Sequence, residues 1–258
     1  MSALFLPAVA SADLGLCYRE DAAPFSYLSD AGEPTGYSVD LCMRVAEELN
    51  VAEPRMVKVT SKNRFDYLGK ECAILCEATT MTLERRRDME FSLIVFLTGT
   101  ALLYPKELPE ANYENTQTMT VGLLSDTTTH HRYLSGNLIG GRTWQFDFRT
   151  VDSHEIAAEG LRSGELQAYI ADREILEFFL EENTQMKEDF QIGLRSLSYE
   201  PYALAVATGD DEIRNAIDTT LVHLFRSGEI RDILGEHVPN RRFDPLLMDL
   251  FRIQMLPD

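Results

Sequence analysis

Twice along this chain a short apolar strand runs into a polar turn, an amphipathic helix follows, and then another strand; this repeated alternation constrains the fold more than any other feature. Residues 14–18 read as the first strand, and residues 24–27 with Asp30, Ala31 and Gly32 as an extended segment and turn. Ser38 stands where it would cap a helix in which Val39, Cys42, Val45, Ala46 and Leu49 recur at helical spacing. Strands are predicted over 56–59 and 73–76, a short helix over 64–68, and a further helical turn over 82–87. The pattern recurs after Tyr104. A strand over 120–124 enters the hydroxyl-rich turn from Ser125 to Thr129, and a helix carrying Tyr133 and Leu134 follows. Then come a helix over 153–161, closed by Ser163 and Gly164, and a strand over 168–171 that ends at Asp172. A strand-like run over 202–207, an amphipathic helix over 211–226 and a shorter helix from Glu229 bring the chain back.

This alternation predicts an α/β fold of mainly parallel sheets with helices on both faces, whose ligands lie beyond the carboxyl ends of the strands. Crossings near 98–104 and 196–201 divide the chain into two lobes joined by a two-segment hinge. The expected division is 13–101 with 199–258 in one lobe and 102–198 in the other.

A formal charge of −18 argues against nucleic acid and against anionic membrane surfaces, both of which call for a basic face. An acidic exterior that keeps the chain in solution accounts for the charge. An anionic ligand would then need local cations, so each arginine near a strand end is informative. No stretch approaches the roughly 20 apolar residues that span a bilayer. Residues 2–12 form a short apolar segment ending in Ala10, Ser11 and Ala12, the small-x-small pattern of a signal-peptide cleavage site, so residues 1–12 are expected to be the remnant of an export signal. Export would put Cys17, Cys42, Cys72 and Cys76 in an oxidising compartment, where four cysteines allow three pairings. In the run 72–76, read as a strand, Cys72 and Cys76 would share a face. The five histidines are scattered, and no metal site or cofactor is expected.

Several segments then carry a resemblance. They are Arg19 and Glu20 with Pro24, Phe25, Ser26 and Tyr27; Gly36 to Asp40; Thr60 to Arg64; and Ala78, Thr79, Thr80 with Glu84 and Arg85. Phe91 with Ser92, Ser125 to Thr129, Ala171 with Asp172, Glu200 to Ala203, and Ser227 to Glu229 continue the series in order. Together they resemble the bacterial periplasmic solute-binding proteins for polar amino acids, family 3 of the ABC transporter binding proteins. Those proteins share their fold with the ligand-binding core of ionotropic glutamate receptors, and the glutamate/aspartate binders are the most similar members.

The resemblance implies a periplasmic-binding-protein-like fold and a monomeric, exported clamp. Such a clamp would hold an amino acid, glutamate or aspartate, for a membrane-embedded ABC permease. Arg85 would grip the α-carboxylate in a bidentate fork with help from Thr80, and Asp172 would pair with the α-ammonium. Thr127 and Thr128 would meet carboxylate oxygens at a helix start. Arg19, Ser61, Arg64 and His154 would read the distal carboxylate, with Ala78 beside them. Two arginines facing one carboxylate would prefer glutamate and aspartate to their amides. The sequence departs from the family's pattern at Glu77, where a small residue is usual, at Ala78, where serine is usual, at Asp126, where glycine is usual, and in a shortened 64–72 segment.

A cleft carboxylate at Glu77 would suit a dehydratase-like enzyme on the same fold, and an accessory protein that binds without transport is a further alternative. Arg85 and Asp172, and the lack of paired carboxylates, of a nucleophile with an ordered base, or of a metal set, favour binding without catalysis.

Overall fold

The computed structural model describes residues 14–107, 119–134 and 146–257, so the candidate export signal lies outside the described residues. In chain order the strands are β1 (Gly15–Tyr18), β2 (Asp21–Ala22), β3 (Ser26–Leu28), β4 (Pro34–Thr35), β5 (Arg55–Lys58), β6 (Ile74–Leu75) and β7 (Met89–Thr98). They continue as β8 (Thr100–Pro105), β9 (Met119–Leu124), β10 (Phe146–Val151), β11 (Ala168–Asp172), β12 (Phe190–Ile192) and β13 (Glu200–Ala207). The helices are α1 (Tyr37–Glu48), α2 (Arg64–Tyr67), α3 (Thr128–Leu134), α4 (His154–Ser163), α5 (Arg173–Glu182), α6 (Thr184–Asp189), α7 (Asp211–Ser227), α8 (Ile230–His237) and α9 (Pro245–Ile253).

Two five-stranded sheets form two lobes, in the orders β5-β1-β6-β13-β7 and β10-β9-β11-β8-β12. Each is mixed rather than mainly parallel. In the first, β1 runs parallel to β5 and β6, while β13 is antiparallel to β6 and β7. In the second, β9 runs parallel to β10 and β11, while β8 is antiparallel to β11 and β12. The antiparallel pairs arise where the crossing strands join each sheet, a contribution that local strand-helix alternation does not reveal. Apolar clusters cover both faces of each sheet. Leu16, Leu41, Ile74 and Leu204 lie on one side of the first and Cys17, Leu75 and Ala205 on the other. Leu103, Leu161 and Leu176 lie on one side of the second and Val121, Leu123 and Ile170 on the other.

The disulfides are Cys17–Cys72 and Cys42–Cys76, and they sit in the clusters on opposite faces of the first sheet. Cys72 and Cys76 therefore do not share a face. Only Ile74 and Leu75 are strand, so alternation does not extend to the two cysteines.

Two other expectations are corrected. Gly36, not Ser38, is the N-cap of α1. At φ 127° a Cβ there would stand 2.5 Å from the Phe25 carbonyl oxygen, so the entry to the helix takes glycine and Ser38 falls inside it. The turn over 82–87 is helical only at Arg85–Arg87, as a 3-10 turn.

The two crossings lie side by side. Leu197 N–H donates to the Thr100 carbonyl at 2.7 Å, Thr100 N–H donates to the Ser198 hydroxyl at 3.1 Å, and Thr98 pairs with Glu200. A Cβ on Gly99 would stand 2.1 Å from the Ser198 carbonyl oxygen, so the hinge strands approach this closely only because residue 99 is glycine.

Candidate ligand-binding site

The strand ends and helix starts of both lobes meet in a cavity between them. Arg19, Arg64, Ala78 and Thr80 line it from the first lobe, and Thr127, Thr128, His154 and Asp172 from the second. Eight of the ten residues expected from the sequence are thus brought together. Ser61 is buried at the turn before α2 but does not line the cavity. Arg85 opens on a neighbouring cavity that meets the first at Thr128.

Asp172 ends β11, where the strand delivers its carboxylate to the cleft. One oxygen accepts from the Tyr202 hydroxyl of the first lobe, while Oδ1 is buried with no partner. Burial and then repulsion from Glu200 push this carboxyl up to about 7, against the steadying Tyr202 hydrogen bond. Among the described residues no salt bridge neutralises it, and Arg132, whose charge lowers its pKa, is bonded to Glu200. Glu200 is itself occupied, held by Arg132 and the Ser198 hydroxyl.

Arg85 is the opposite case. Its Nη1 donates to the Thr80 carbonyl at 2.8 Å and its guanidinium lies 4.9 Å from the Phe65 ring centre, but no carboxylate pairs with it among the described residues. Burial and the nearby Arg64 push it down to about 10, so it stays charged at neutral pH and would gain from an anion. Phe65 also carries Arg64, at 4.6 Å, so one ring meets two guanidinium groups.

Arg19 and Arg64 are not the uncompensated pair expected from the sequence. Arg64 Nη1 contacts both oxygens of Glu77 at 2.8 and 2.7 Å, and Arg19 Nη1 reaches the same carboxylate at 3.5 Å. Arg19 Nε donates to Asp21 at 2.8 Å. Glu77 is 1% exposed and accepts a further hydrogen bond from the Thr79 hydroxyl. Burial would raise its carboxyl, but Arg64 and Arg19 outweigh that and hold it below its ordinary range. Burial would likewise depress Arg19, but Asp21 and Glu77 raise it instead. Asp21 is held down by Arg19 against its own burial. Two guanidinium groups therefore face two carboxylates.

His154 is the first residue of α4, after the Ser153 N-cap. Its Nδ1 is 2.8 Å from the Tyr169 hydroxyl and its Nε2 is buried without a partner. Burial pushes its pKa down, so the ring is neutral near pH 7. Thr127 spends its hydroxyl on the chain, donating to the Leu124 carbonyl at 2.8 Å and accepting from His130 N–H at 3.2 Å. Asp126 takes φ 57°, the left-handed geometry that accounts for the glycine usual at this position.

Sequence reasoning missed the bonding roles of Asp21, Tyr202 and Phe65. Tyr202 lay within the Glu200 to Ala203 segment and Phe65 beside Arg64, but their partners are set by tertiary contact. Away from the cleft, ligand atoms of Asp40, Glu236 and His237 lie within 4.8 Å of one another, and His237 Nε2 is 2.6 Å from Asp40. The distance between residues 40 and 237 in the chain hid this group from spacing arguments.

The chain matches the family model for bacterial extracellular solute-binding proteins, family 3, over residues 14–240, and belongs to that family. It is 28% identical to an L-glutamate/L-aspartate-binding protein of Pseudomonas aeruginosa over 84% of this chain and 74% of the relative. It is 26% identical to the glutamate/aspartate import solute-binding protein of Escherichia coli, over 82% and 72%. In structure it is similar to an ancestral arginine-binding protein bound to arginine, with a TM-score of 0.76, 20% identity, and coverage of 88% of this chain and 98% of the other.

Proposed function

We propose that this protein captures an α-amino acid between its lobes, outside the cytoplasm, and delivers it to an ABC permease. The observation that carries the reading is Asp172, a strand-end carboxylate with one oxygen buried and unpartnered and its pKa raised by burial and by the nearby Glu200. An α-ammonium supplies a counter-ion. Arg85, a half-buried guanidinium with no carboxylate paired to it among the described residues, supports the complementary role toward an α-carboxylate, with Thr80 and Thr128 near it. Closing the lobes, 13–101 with 199–258 against 102–198, would bring the two charges onto one zwitterion. Relatives whose names carry glutamate and aspartate support those two as first candidates within the amino acid class.

Calorimetry of the refolded, ligand-free protein against the common amino acids tests the proposal. At least one should bind at micromolar concentration or below, and the same compound without its α-amino group should not. Failure of every amino acid to bind would reject the reading.

A further inference from the structure

We infer that the cavity selects an α-amino acid whose side chain is uncharged and carries an oxygen acceptor, with Glu77 as the residue that sets this preference. The inference rests on the amino acid reading above but, within that class, puts an uncharged side chain in place of the two acids for which the relatives are named.

The charges around the cavity can be counted group by group. Arg19 and Arg64 are matched by Asp21 and Glu77. Arg85 and Asp172 remain, of opposite sign, and among the described residues neither is held in a salt bridge. A zwitterion with a neutral side chain satisfies those two and leaves every buried charge compensated. A distal carboxylate would add a negative charge to a region already balanced, and burying an uncompensated ion is strongly unfavourable. A distal ammonium would meet two guanidinium groups whose carboxylates are already engaged.

An apolar side chain is also a poor match, because buried polar atoms remain open. Arg19 directs Nε to Asp21 and Nη1 to Glu77, which leaves Nη2 buried with no acceptor. The neutral His154 lines the same cavity, and its buried Nε2 has no partner. A side-chain carbonyl or hydroxyl oxygen can accept from Arg19 Nη2 without bringing charge, and a buried donor left unmet costs more than the bond itself contributes. Glu77 thus occupies the role that a ligand's distal carboxylate would otherwise fill, with Arg64 engaged on both of its oxygens.

The test is calorimetry of the full chain with glutamine, asparagine, glutamate and aspartate, on the wild type and on Glu77→Gln. The wild type should bind the better amide at least tenfold more tightly than the better acid. In Glu77→Gln, where one negative charge is gone, that ratio should move toward the acids by at least tenfold. An acid bound as tightly as either amide by the wild type overturns the inference while amino acid binding stands. Absence of binding by all four, together with every other amino acid, removes the underlying reading as well. Should Glu77→Gln fail to fold, the wild-type ratio decides alone.

Discussion

Both disulfides lie in the lobe built on β1, β5, β6, β7 and β13, while the segment from Thr100 to Ser198 contains no cysteine. The contrast continues into the cleft. The first lobe brings Arg19 and Arg64 with their counter-ions already in place, joined by Asp21, Glu77 and Thr79 of the same lobe. The second lobe brings Asp172 and His154, each with a buried atom that has no partner. Two sheets of like topology have thus divided the work. One is cross-linked and balanced in charge on the side-chain wall of the cavity, with a guanidinium N–H of Arg19 still open, and the other leaves a carboxylate and an imidazole for something outside the chain to complete.

The largest expected effect breaks this asymmetry at its covalent end. Cys17–Cys72 closes 55 residues and Cys42–Cys76 closes 34, and in the chain-entropy account each contributes about 4 kcal/mol. Urea unfolding with and without reductant should therefore show the first lobe losing most of its advantage, read by probes placed in each lobe. Equal loss in both lobes would mean that they unfold as one unit.

Asp172→Asn comes next. It keeps the shape and the Tyr202 contact but removes the negative charge, and should weaken amino acid binding by about 3 kcal/mol, two decades in Kd. Calorimetry giving a Kd within threefold of wild type would remove Asp172 from the site. Gly99→Ala tests the hinge that joins the lobes. The new Cβ must displace the Ser198 backbone, and such overpacking costs about 1–3 kcal/mol, measurable as a lower Tm. An unchanged Tm would show that the crossings are looser than drawn.

Much of this was legible beforehand. Alternating apolar strands and helices identified the sheets because burial imposes local periodicity, and the strand-end position of Asp172 followed from it. The antiparallel share of each sheet was not legible, since β8 and β13 join sheets far from their sequence neighbours. The pairing of four cysteines, Asp21 and Glu77 with Arg19 and Arg64, and Tyr202 with Asp172 were hidden for the same reason. Glu77 stood out as a departure from the family's pattern, but its effect on charge required knowing that both arginines reach it. Gly36 in place of Ser38 as the cap of α1 reflects a close approach to Phe25 that no helical pattern encodes.

The smallest expected effect is the one that reports most directly on Asp172 receiving an ammonium from ligand. Its carboxyl is pushed up to about 7 by burial and Glu200, so below that pH it holds a proton that an incoming α-ammonium must displace. Affinity should be constant above about pH 7 and fall about tenfold per unit below it. The measurement is calorimetry at pH 6 in two buffers of different ionisation enthalpy, which counts protons released per amino acid bound. About one proton should leave the wild-type protein and none should leave Asp172→Asn. No release from the wild type, or equal release from both, would contradict the claim that the second lobe's unpaired carboxylate is what the ligand completes.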